Sequence, residues 1–182
     1  MKLPFDTFGA YPHRMVELDE IWSQMLASAA QSATEAGRSD VADFLRLKAS
    51  NDAIRSTGVK WLFDTVIEIA ANANRSHTSL TIERDDPHNF AHGNSNLVGT
   101  RVMVRHGVRC LSVEAGWTRT PSDGIMRGGA LAFARVSHFG MPKMTTELKL
   151  VADDPTPKWR NAETAEDVDS IELRRHLEIL TT

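Results

Sequence analysis

Cysteine is almost absent from this 182-residue chain, and the single Cys110 rules out an internal disulfide and a cysteine-cluster zinc site. Long apolar runs are missing too: no stretch approaches the ~18 residues of a spanning helix, so no membrane role is expected. The opening MKLPFDTFGAYPHRM is broken by Pro4 and Asp6 and has no secretory pattern, which leaves a cytoplasmic protein as the expectation. GxGxxG, GxSxG, HExxH and Walker patterns do not occur, and no internal repeat is visible. No established enzyme signature therefore directs the reading, and the sequence leans away from an enzyme.

Hydrophobic residues make up 41% and charged residues 25%, a globular composition that fits one domain over 1–182. A chain of this length buries about 70% of the surface its unfolded form exposes. The net charge of −3 conceals an asymmetry, since residues 97–143 carry a net +5 and the rest of the chain −8. Local positive charge attracts phosphates and acidic partners; the plainer reading is neutralisation within the fold.

The pattern divides the chain into a helical part (1–76), a sheet (77–152) and an acidic tail with a helix (153–182). After an extended lead-in, Met15, Leu18, Trp22, Met25, Ala29 and Ala33 recur at helical spacing, which predicts a helix over Arg14–Ala36 that buries Trp22. Gly37 stops it. A second helical stretch spans Asp40–Ala73, as one helix or as two, because Asn51, Asp52 and Gly58 weaken it.

From Ser79 the period becomes two. Strands are predicted over 79–83, Leu97–Arg105, Val108–Trp117, Gly129–His138 and Thr146–Ala152. A His106–Gly107 turn would set Arg105 against Val108 and Val102 against Leu111, which gathers the apolar residues on one face. Cys110 falls within a strand as a buried thiol. Pro155 and Pro157 then end the sheet, and Ala165–Leu180 forms the last helix. The expected fold is α+β: N-terminal helices packed on an antiparallel meander of about five strands, with a short C-terminal helix.

A meander brings alternate connections to the same end of its sheet. The two longest predicted loops, 85–96 (DDPHNFAHGNSN) and 118–128 (TRTPSDGIMRG), therefore share an end, and long loops on a rigid sheet are where function concentrates. Arg119, Arg127 and Arg101 supply forked donors for phosphate, with His88, His92 and Asn94 as polar partners and Trp117 and Phe90 as stacking surfaces. A structural Arg101–Glu114 pair and a core role for Trp117 are the plainer readings of those residues.

The expected function is a binding module for a phosphate-bearing ligand, a nucleotide or a nucleic acid, with no cofactor. One alternative is a metal-dependent hydrolase that uses Asp85, Asp86, His88 and His92, assisted by Glu83. A second is a homo-oligomeric interaction module with no small ligand, and a twofold homodimer is the expected assembly. Glu83 and Glu114 form a candidate carboxylate pair, while His77 and His138 have no assignable partner.

Overall fold

The computed structural model describes residues 11–153 and 156–182, with side chains from Glu20 onward apart from Pro121. Met15 and Leu18, as side chains, and the lead-in over 1–10 lie outside the described residues. By internal contacts the chain forms two units, Met1–Ala53 and Ile54–Thr182.

In the first unit, α1 (Tyr11–Glu35) leads into the start of α2 (Ser39–Arg75). Gly37, at φ 72°, closes α1: Arg38 N–H reaches back to Ala33 O at 2.8 Å and Gly37 N–H to Thr34 O at 3.0 Å. The buried side chains here are Leu26, Ala30, Ala33 and Ala42. The expected burial of Trp22 does not hold. The side of α1 that is buried is offset from the predicted one, and Trp22 is 44% exposed. Its indole N–H donates to Asp52 at 3.2 Å, and Lys48 Nζ lies 5.7 Å from the ring centroid.

α2 is one continuous helix across Asn51, Asp52 and Gly58. Gly58 has a packing reason within the second unit. A side chain there would run into Leu150, and the Gly58 carbonyl accepts the buried Trp159 indole N–H at 2.8 Å. The helix ends on His77, a left-handed residue at φ 70°, and Thr78 N–H closes back to Ala73 O. Asn74 then pairs both its amide groups with the Leu80 backbone, which ties the helix end to the entry of the first strand.

The fold is α+β, with a six-stranded antiparallel meander: β1 (Thr81–His92), β2 (Ser95–His106), β3 (Arg109–Trp117), β4 (Ala132–His138), β5 (Met141–Val151) and β6 (Lys158–Asn161), followed by α3 (Ser170–Thr181). There is one strand more than expected, and several bounds differ. The stretch expected as a loop over 85–96 is the second half of β1, a tight Gly93–Asn94 turn and the start of β2. Pro87 is accommodated because β1 is an edge strand and the ladder shifts between Asp85 and His88.

The β2–β3 turn is Gly107–Val108, so Arg105 faces Cys110 and Val102 faces Val113. That is two residues from the predicted register. An even offset leaves every side chain on its predicted face. β4 begins at Ala132 because Gly128 and Gly129 are both left-handed, at φ 63° and 70°. A Phe139–Gly140 turn starts β5 earlier than expected. β6 follows the prolines and is clamped by Asp153 and Asp167, which bind Lys158 and Arg160. α3 starts at Ser170, where Asp169 accepts from the Ile171 and Glu172 amides.

One face of the sheet carries Val102, Val104, Val113, Ala115, Ala134, Val136, Leu148, Leu150 and Trp159. It is buried against Leu62, Phe63 and Val66 of α2 and Leu173, Leu177 and Leu180 of α3.

Candidate functional site

The opposite face of the sheet is polar. Its central row crosses five strands with alternating sign: Asp85, Arg101, Glu114, Arg135 and Glu147 are successive register partners. Arg101 binds Asp85 through Nε at 3.0 Å and an Nη at 2.5 Å. Arg135 binds Glu114 at 2.8 Å and Glu147 at 3.4 Å. His88 Nε2 meets the other Glu114 oxygen at 2.8 Å, with the two side chains only 15% and 13% exposed.

Next to this row, Gly99 and Gly116 face each other. A side chain on Gly99 would enter the Ala115 carbonyl oxygen, and one on Gly116 would stand 2.8 Å from the Val98 carbonyl group. The strands therefore approach more closely than any side chain permits. The tip of the β1–β2 hairpin curls over the polar face. Arg135, on β4, donates to Ala91 O of β1 at 3.0 Å, and the His92 ring lies on Phe133 with centroids 3.9 Å apart. In a flat sheet three strand spacings, about 14 Å, would separate β1 from β4. A small apolar cluster of Leu97, Ala130 and Phe133, with Phe90 and Met126 against it, fills the curl.

The β1–β2 turn and the β3–β4 connection lie at one end of the sheet. Ser95 Oγ donates to Ile125 O at 3.3 Å, and Asn89, Asn96 and Asp123 line one shallow depression there. Asp123 organises the start of the connection. It accepts from the Thr120 amide and hydroxyl and from the Arg119 amide, at 2.8, 2.9 and 3.1 Å. The Thr120 backbone and hydroxyl bonds, with the Arg119 amide adding to them, hold its carboxyl below the usual carboxylate range.

The Arg119 guanidinium lies 3.9 Å from the Trp117 ring centroid, and that of Arg55 from α2 lies 5.9 Å from it. Both cations are thus stationed at one aromatic surface. Arg55 also donates to Leu131 O at 2.8 Å, which fixes it to the far end of the same connection. Arg127 and Asn94 are exposed, Arg127 on that connection and Asn94 in the β1–β2 turn.

The predicted residues therefore fall into two groups. Arg119, Arg127 and Asn94 lie at the loop end, with Trp117 beside them. Arg101, His88 and His92 belong to the polar row and its curl, where each has a protein partner. Asp85, Asp86, His88 and His92 do not converge: Asp86 takes the Thr100 hydroxyl at 3.0 Å and Arg84, while Asp85 takes Arg101. Glu83 pairs with Arg105. Among the described residues no group of three or more His, Cys, Asp or Glu could hold a metal ion.

Arg55 and Arg135 escaped the sequence reading. Arg135 is outward by strand alternation between Ala134 and Val136, which is a usable signal; Arg55 has none, because its relation to Trp117 is purely tertiary. No helix among the described residues is long and apolar enough to cross a membrane. Against protein families, curated proteins and solved structures, the chain gives no match.

Proposed function

We propose that the chain is a binding module for a phosphate-bearing ligand, a nucleotide or a nucleic acid, taken at the end of the sheet around Trp117, Arg119 and Arg127. The observation that carries this reading is the pair of guanidinium groups, Arg55 and Arg119, set at 5.9 and 3.9 Å from one tryptophan ring. Guanidinium groups held at one indole present forked donors suited to two-point contacts with phosphate. Exposed Arg127 and Asn94 extend the same end with further donors. The metal-dependent hydrolase reading gains no support from this geometry, since its four side chains turn to different partners.

Binding of ATP and of a labelled single-stranded oligonucleotide, each titrated at low and high salt, tests the proposal. Affinity should fall with salt, and the R119E/R127E double variant should lose at least about tenfold, as expected when forked phosphate contacts are reversed in sign. The stronger of the two ligands identifies the class. Unchanged affinity in the double variant would remove the reading.

A second reading, self-association as a twofold homodimer, is favoured by exposed Ile21, Trp22 and Met25 on α1 and Phe44 and Leu47 on α2. Light scattering that returns the 20.2 kDa monomer mass over a wide concentration range would contradict it.

A further inference from the structure

Two histidines with no part in the loop end meet in the seam between α3 and the sheet. His138 closes β4 and His176 lies in the middle of α3; they are 7% and 6% exposed. His138 Nε2 stands 3.1 Å from His176 Nδ1, and the rings stack with centroids 5.4 Å apart. A contact of this kind needs one proton between the two nitrogens. The neutral pair supplies one, and so does the pair with a single added proton, because in each one nitrogen donates and the other accepts. With both rings protonated no lone pair remains at the contact, and two like charges face each other inside the fold.

Little around the pair offsets that charge. Thr146 Oγ1 of β5 is 3.5 Å from His176 Nε2. Leu111 of β3 and Met141 of β5 are the register neighbours of His138. Glu172, about one turn back along α3, favours a charged His176 but is itself bound to Arg175 at 2.8 Å. Burial opposes charge on both rings, and for His176 the His138 imidazole opposes it as well.

We propose that the His138–His176 pair is an acid-release latch for α3: the helix stays docked while the pair carries at most one added proton and detaches when the second arrives. Detachment uncovers Leu173, Leu177 and Leu180 on the helix, which are buried in the docked state. Burial holds both imidazoles below their ordinary value of 6.5, and the partner's charge lowers His176 further. The undocked helix, with solvated imidazoles, binds protons more readily than the docked one. Docking is therefore complete above pH 6.5 and is lost as pH falls below it.

Backbone and imidazole NMR of the full chain between pH 8 and pH 4 tests the latch. The α3 amides, residues 170–181, should lose their docked resonances together on the acid side of 6.5, while the β2–β3 amides keep theirs. In the H138Q/H176Q variant that acid transition should vanish. An α3 that stays docked at pH 4, or undocks in the double variant at the same pH as in the wild type, would overturn the proposal. Should the variant not fold, the wild-type imidazole signals decide alone. Protonation of the second ring below 6.5, coincident with loss of the α3 resonances, supports the latch; protonation of both rings with α3 still docked, or titration of either ring at or above 6.5, refutes it.

Discussion

The two faces of the sheet obey different rules. Toward α2 and α3 the side chains are apolar and dry, and stability there comes from volume and area removed from water. On the other face a row of alternating charges runs from Asp85 to Glu147, partly covered by the curled β1–β2 hairpin. Here each charge is tolerated because its neighbours in register have the opposite sign. A ligand is therefore to be sought outside the row. Arg101 and Arg135 inside the row are bound to carboxylates; Arg119, stacked on Trp117, and exposed Arg127 lie beyond it, at the end where the meander's connections gather.

Substitutions should separate the two faces by size of effect. Trp159→Ala removes a fully buried ring and its bond to the Gly58 carbonyl, and urea denaturation should register a loss of about 3–5 kcal/mol. Glu114→Gln keeps the shape but takes the charge from between His88 and Arg135. A loss of about 1–3 kcal/mol is expected from charged hydrogen bonds left without their carboxylate. A loss equal to that of Trp159→Ala would mean that the polar row contributes to stability as strongly as the core. Smallest of all, Trp22→Ala, at an exposed ring, should change stability by about 1 kcal/mol or less, a contrast with Trp159 that the same denaturation series reads directly.

The apolar face was legible in the sequence because alternation fixes it, and a register error of two residues between β2 and β3 leaves it intact. The length of β1 was not. Asp85, Asp86, Pro87 and Asn89 have the chemistry of a loop, yet an edge strand with a register shift accommodates a proline that a central strand would reject. The buried side of α1 is not determined by the sequence for a related reason: its apolar and small residues form two overlapping helical stripes, and only packing selects Leu26, Ala30 and Ala33 over Trp22 and Met25.

At the candidate site, the nearness of Asn94 to the Arg119–Arg127 connection followed from meander alternation alone. The commitment of Arg101 to Asp85 and the arrival of Arg55 at Trp117 did not, since both depend on how strands curl and helices dock.

NMR mapping of tripolyphosphate on the intact chain decides whether the loop end takes phosphate. Saturable, salt-sensitive shifts are expected at the Trp117 indole N–H and at the amides of Asn94, Arg119 and Arg127, with the Arg101, Glu114 and Arg135 signals unmoved. Shifts centred on the polar row, or none at all, would contradict a phosphate site at the loop end.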